Sequence, residues 1–162
     1  MIRLRDRDHA WGGYVLRFWG VVTLLALVAV TARGAPSGEP SVEELKARLA
    51  STSVGDRPHL CVRIAQKQLT EADKLYAADE VEKGQAALAD VVAYSELARD
   101  YAIQSHKYQK QSEIAVRAMT RRLTEMLHSF AHEDQAAVRD AINRLQRVRD
   151  DLLKAMFPKG AK

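Results

Sequence analysis

Apolar residues recur every three or four positions through most of the chain after residue 41, which is the spacing of one helix face. This spacing predicts a short helix to about residue 50, a second over about 57–76, a helical stretch over about 80–127 and a last helix ending near residue 156. Two apolar stripes are continuous, one formed by Leu60, Cys61, Ile64, Ala65, Leu69, Ala72, Leu75 and Tyr76, and the other by Ala141, Ile142, Leu145, Val148, Leu152 and Met156. The pattern therefore predicts an all-α fold.

Polar residues mark the expected helix ends. Ser41 and Glu44 have the spacing of a capping box, in which each side chain bonds the other residue's backbone amide. Asp79 and Glu82 repeat that spacing after the second stripe and predict a turn followed by a capped helix. The stretch 127–134 is the best place for a later turn, because it combines histidines and a serine with acidic residues that suit the start of a helix.

The stretch 80–127 allows two layouts. Neither glycine nor proline occurs from Gln85 to Phe157, so nothing local ends a helix there. We favour one continuous helix, about 72 Å long, that carries a partner on each half and leaves apolar surface for a dimer or another protein. In the alternative, the helix breaks near 104–111. The expected fold is therefore a long-helix hairpin or, if the helix breaks, a small helical bundle, with three main helices and a short N-terminal one.

The N-terminal region has the three parts of a secretory signal. Basic residues precede an apolar run over 18–32, and small residues follow it. As a helix this run spans about 22 Å, which is short of the roughly 30 Å hydrocarbon core of a membrane. The predicted cleavage follows Ala32 or Gly34. The alternative is an uncleaved anchor, in which Arg17 extends toward the interface and the body still lies outside.

These features divide the chain into three parts. Residues 1–34 are the predicted signal peptide or anchor, 35–57 a linker with the short helix, and 58–157 the helical domain. The chain is expected to be exported to the periplasm or secreted. Membrane contact is expected only through residues 18–32, and only if they are retained.

Charge and cysteine content narrow the function classes. The chain has 25 Lys and Arg against 21 Asp and Glu, a formal net charge of +4. Four of the basic residues precede the apolar run, and charges of both signs alternate in the rest. That mixture indicates a solvated surface, so no nucleic-acid partner is expected. Cys61 is the only cysteine, which excludes a disulfide within the chain.

Five residues are candidates for binding a protein partner. Tyr94, Tyr101 and Tyr108 are seven residues apart, so one continuous helix would place them on one slowly drifting face. Such a row is typical of a surface that packs against another helix. If the row is exposed, it would instead suit the binding of a peptide or a glycan. Arg117 and Arg121 add positive charge farther along, although Glu113 and Glu125 stand four residues away as local ion-pair partners.

Catalytic and metal-binding patterns are weak. His128 and His132 are four residues apart and would share a helix face, but the stretch is a predicted turn and lacks the glutamate of a His-Glu-x-x-His site. No phosphate-binding loop, nucleophile elbow or paired Cys-x-x-Cys occurs. We expect no enzyme activity, no metal and no cofactor.

The stretch from Ala72 to Leu88 resembles the turn region of a tetratricopeptide repeat, with Leu75 and Tyr76 before the turn and a small residue after it. Asp79 stands where that family usually has glycine, and Gly84 takes the small packing position. The likeness covers about 30 residues, and no second copy follows at the 34-residue period of the family. It implies one helical hairpin and not a peptide-binding array. The whole pattern also resembles exported all-helical proteins of bacteria.

Together these observations predict an exported, non-enzymatic interaction or scaffold protein of the cell envelope, which binds a protein partner or a second copy of itself through a helix face. The alternative is a periplasmic helical carrier for a metal or small ligand, held in the interior of a bundle or by the two histidines.

Overall fold

The structure, a computed structural model, describes residues 38–128 and 135–158. The predicted leader lies outside these ranges, as do His132 and most of the predicted turn at 127–134. Regular structure in the described residues is entirely helical, which confirms the all-α prediction. Five helices occur there: α1 Val42–Ser51, α2 Arg57–Ala77, α3 Val81–Ser105, α4 Gln109–Leu127 and α5 Gln135–Met156.

Helix α1 begins at the predicted capping box. The Ser41 hydroxyl accepts a hydrogen bond from the Glu44 amide at 3.2 Å, and the Ser41 amide donates to the Glu44 carboxylate at 2.8 Å. The helix packs on α2 and buries Leu45 completely. This short helix therefore belongs to the compact unit that begins at Glu39.

The second predicted capping box, at Asp79 and Glu82, is wrong. Asp79 has φ 60°, and Glu80 precedes α3 without a side-chain cap. The Asp79 amide donates to the Tyr76 carbonyl at 3.1 Å and the Glu80 amide to the Leu75 carbonyl at 2.9 Å. These two bonds form a Schellman motif, with Asp79 in the left-handed position. The end of α2, and not the start of α3, therefore sets the turn.

The four helices α2, α3, α4 and α5 share one hydrophobic core. Helix α2 packs most extensively on α3, α4 packs on α5, and α5 also packs on α3. Both predicted stripes face this interior, with Leu60, Leu75, Tyr76 and Met156 at its partly exposed margin. The core cluster contains Ala65 and Leu69 of α2, Leu88, Val91, Val92 and Ala102 of α3, Val116, Met119, Leu123 and Met126 of α4, and Val138, Ala141, Ile142, Leu145, Val148 and Leu152 of α5.

The continuous 80–127 helix that we favoured is wrong, and the helix breaks within the 104–111 stretch of the alternative layout. The described residues contain four main helices where three were expected. Helix α3 ends at Ser105, and His106 and Tyr108 both adopt left-handed backbone angles, with φ 55° and 57°. Each such residue costs about 1–2 kcal/mol. Folding back, however, buries the core-facing side chains of α4, each worth about 1.5–3 kcal/mol. Burial therefore outweighs the strained turn, although no residue in the turn signals it.

Candidate interaction surface

Tyr94 is a partly buried residue of α3. Its ring packs against the core, and the Lys46 ammonium lies 5.6 Å from the ring centroid. Asp90 lies beside this pair, 3.4 Å from the Lys46 nitrogen, and accepts a 2.7 Å hydrogen bond from Gln68. Burial raises the pKa of Tyr94, which the positive Lys46 partly opposes. The ring of Tyr94 is thus in contact with its own chain.

Tyr101 is held in a similar way, one heptad later. The Arg57 guanidinium lies 5.2 Å from its ring centroid and donates to its hydroxyl at 3.4 Å. Arg57 also donates to the Thr52 carbonyl at 3.0 Å, which connects the loop before α2 to α3. This tyrosine therefore fixes the start of α2 on α3.

Tyr108 lies outside both helices, in the strained turn. It is 36% exposed, and its ring centroid is 5.9 Å from that of His59. Because the helix breaks before it, Tyr108 does not continue the face of Tyr94 and Tyr101. Tyr94 contacts Lys46 of α1, Tyr101 contacts Arg57 of α2, and Tyr108 contacts His59 of α2 from the turn. The three tyrosines therefore do not form one open row.

Arg117 and Arg121, in contrast, share an open face of α4. Together with Ile114 and Ala118 they line a shallow depression of about 340 Å³. Ile114 is 44% exposed, and the Arg121 side chain is 80% exposed. We call these four residues the outer face of α4. The predicted ion pairs form only loosely, with 3.8 Å from Arg117 to Glu113 and 3.6 Å from Arg121 to Glu125.

Ile114 was missed in the sequence, although a signal was present. Positions 114, 117, 118 and 121 follow the spacing of one helix face, opposite the core-facing residues of α4. An exposed apolar residue one turn before two arginines on the same face differs from the surrounding polar surface. A search for a second apolar position outside the core stripe would have found it.

Several charged side chains form ion pairs between helices of the same chain. Arg144 of α5 donates to both carboxylate oxygens of Glu96 of α3, from Nη2 at 2.9 and 3.0 Å and from Nε at 3.2 Å. Other interhelical pairs are Arg99 with Asp151 at 3.2 Å, Arg122 with Asp73 at 2.6 Å, and Arg149 with the buried Glu113 at 2.8 Å. These side chains position helices and do not converge on a common cavity.

A second concave region, of about 540 Å³, lies along α2 beside the start of α1. Its cations already face acidic groups: Glu39 lies 3.7 Å from Arg63 and 3.3 Å from Lys67, and Lys74 pairs with Glu71 at 3.5 Å. Because each of the three cations already has an acidic neighbour, this groove favours no particular charged ligand.

The structure describes one of the two histidines of the carrier alternative. His128 is exposed at the end of α4, and its predicted companion His132 lies outside the described ranges. Within 38–128 and 135–158, no three His, Cys, Asp or Glu side chains are grouped to hold a metal ion. Cys61 is a free thiol with no exposure, and burial raises its pKa to about 11.

Two further findings do not concern a particular surface. None of the helices in the described part combines the length and apolar character needed to cross a membrane. No family model, curated protein or solved structure matches the chain. The likeness of 72–88 to a tetratricopeptide hairpin therefore remains a prediction, as do the export signal and the binding role of the candidate residues.

Proposed function

We propose that this chain is an exported, non-enzymatic helical protein of the cell envelope, and that it binds a protein partner through the outer face of α4. Export is supported by the basic, apolar and small-residue segments of the first 34 positions. A role in binding is supported by the contrast between α3 and α4. The aromatic residues of α3 contact their own chain, whereas the apolar and basic residues of α4 face outward.

The exposed side chain of Ile114 carries this proposal. It is nearly half exposed and is followed by two arginines on the same face, one and two turns along. Protein interfaces typically combine an apolar centre with a polar rim, and arginine is enriched among the residues that contribute most binding energy. Both arginines lie beyond hydrogen-bond distance of their local glutamates, so a partner's carboxylates meet little competition.

The arrangement indicates the chemistry of the partner. The depression accepts an apolar side chain that contacts Ile114 and Ala118. Carboxylates on either side of that side chain then accept paired hydrogen bonds from the Arg117 and Arg121 guanidinium groups. An amphipathic helix with an acidic rim on its apolar stripe has this pattern.

Site-specific photocrosslinking in the producing cell tests the proposal. A photoreactive residue at position 118 is expected to give a discrete adduct, whereas one at the exposed Ala136 of α5 gives none. The double substitution Arg117→Ala and Arg121→Ala should lower the adduct yield by about tenfold or more.

The matched control replaces two exposed arginines of α5, Arg139→Ala with Arg147→Ala, and should leave the adduct at position 118 unchanged. Equal adducts at positions 118 and 136 would contradict the proposal. So would an adduct at 118 that both arginine doubles reduce equally.

A further inference from the structure

The turn between α3 and α4 is short and strained. Three residues separate the helices, and two of them, His106 and Tyr108, are left-handed without being glycine. Gly adopts this backbone without strain, and Asn, Asp and His adopt it more often than other residues, whereas Tyr108 belongs to none of these types. In a helical conformation both residues would lose this strain.

The same turn is compatible with helix. No glycine or proline occurs between Gln85 and Phe157, so the turn and both flanking helices can form one helix over 81–127, about 70 Å long. Straightening adds the amides of the turn to the helical hydrogen-bond ladder. It also moves α4 away from α2 and α3, which exposes the core-facing side of both halves.

The exposed surfaces fit a second copy of the chain. Helices α4 and α5 stay together through their shared core and the buried Glu113–Arg149 pair. The contacts that this pair of helices makes with α2 and α3 include Glu96–Arg144, Arg99–Asp151 and Asp73–Arg122. Each of these joins one half of the chain to the other, so each forms equally well between two copies.

We propose that two copies of this chain exchange their α4–α5 helices: the turn at 106–108 straightens in each copy, and the α4–α5 pair of one packs on α2 and α3 of the other. Short, strained hinge loops favour this kind of exchange. Each chain loses two left-handed residues and recovers the same core and ion pairs. The free energy of dimer formation then depends on two quantities, the strain released in the two turns and the entropy lost on association.

Few contacts oppose the opening of the turn. The Tyr108 ring meets His59 at 5.9 Å, and the Lys107 side chain lies against Gly55. Both contacts are at the rim and involve half-exposed or exposed groups. The outer face of α4 takes no part in the exchange, so this inference stands independently of the proposed partner site.

A matched pair of hinge variants tests the exchange. His106→Ala with Tyr108→Ala and His106→Gly with Tyr108→Gly remove the same side chains, but alanine favours helix and glycine favours the left-handed turn. Native mass spectrometry of the full chain from mild detergent counts copies per particle. The dimer dissociation constant of the alanine pair should be at least about 100-fold lower than that of the glycine pair. Equal dimer fractions in the two variants would overturn the proposal.

A charge-exchange experiment distinguishes swapping from ordinary dimerisation. Glu96→Arg and Arg144→Glu each create a like-charge contact when a chain packs on itself, or on an identical copy. The two variants are unfolded, mixed and refolded. A dimer with one chain of each kind then restores both ion pairs, but only if position 96 of one copy meets position 144 of the other. Mixed dimers that melt above either variant alone are expected. Refolding without mixed dimers would refute the exchange, even if each single variant folds poorly.

Discussion

The hydroxyl of Ser112 is buried and has no hydrogen-bond partner among the described residues. A buried polar group without a partner costs about 1–3 kcal/mol. Ser112→Ala is therefore expected to raise the free energy of unfolding by about 1 kcal/mol, as measured by urea denaturation.

Ser95 provides the matched control, because it is equally buried but donates to the Val91 carbonyl at 2.7 Å. Ser95→Ala should lower the free energy of unfolding by about 1 kcal/mol. Opposite signs at the two serines would confirm the account of Ser112, and equal destabilisation would contradict it.

Because of Cys61, the free energy of unfolding is expected to fall as pH rises through the alkaline range. Burial raises the pKa of its thiol from the ordinary 9.0 to about 11, which nearby Arg57 opposes. Because the folded state holds the proton more tightly, this contribution is complete below about pH 9 and disappears as pH rises to about 11. Up to about 3 kcal/mol is lost over that interval.

The variant Cys61→Ala isolates this effect, since tyrosines and lysines titrate in both proteins. Urea denaturation at pH 8.5, 10 and 11 should show wild type losing about 2–3 kcal/mol more than Cys61→Ala. Parallel loss in the two proteins would show that the thiol does not resist ionisation in the folded state.

At the scale of single elements, the start of α3 depends on the absence of a side chain at Gly84. A Cβ at that position would lie 3.0 Å from the Tyr76 ring of α2. Gly84→Ala should therefore lower the free energy of unfolding by about 1–2 kcal/mol, although alanine is the better helix former by about 1 kcal/mol. In a Tyr76→Leu background the same change should be neutral or stabilising. Stabilisation in the wild-type background would contradict the contact.

The association of α4 with α5 depends on one buried carboxylate. Glu113 is 6% exposed, and Arg149 lies 2.8 Å from it. Arg149→Met leaves that charge poorly compensated and should lower the free energy of unfolding by about 3 kcal/mol in urea denaturation. Arg121→Met, at an exposed pair, should change it by less than about 0.5 kcal/mol. Similar losses in the two variants would show that burial of Glu113 contributes little.

Local signals predicted those parts of the fold that local contacts determine. The cap at Ser41 and the stripes of α2 and α5 were predictable because each depends on residues within a few turns. The break at 106–108 was predicted only by the alternative layout and not by the favoured one, because burial of α4 against distant helices determines it and the turn residues themselves are compatible with helix. Asp79 failed as a cap for a different and local reason, since the Schellman motif at the end of α2 holds it in the left-handed region.

Across the whole molecule, the same distinction separates the candidate residues. The exposure of Arg117 and Arg121 could be predicted from the sequence because it depends on the pattern of one helix. The tyrosines could not be placed, because α1 and α2 fold over Tyr94 and Tyr101 and a turn removes Tyr108 from their face. The outer face of α4 therefore differs from the tyrosines in being open to solvent.

Export is the premise that makes this surface meet envelope proteins, and the location of the folded chain tests it most directly. Cells producing the chain are fractionated, and the mass of the recovered polypeptide is measured. We expect the helical body outside the cytoplasm, either beginning at Arg33 or Ala35, or intact and open to protease added from outside. An intact chain, Met1 included, that is free in the cytosol would contradict the account.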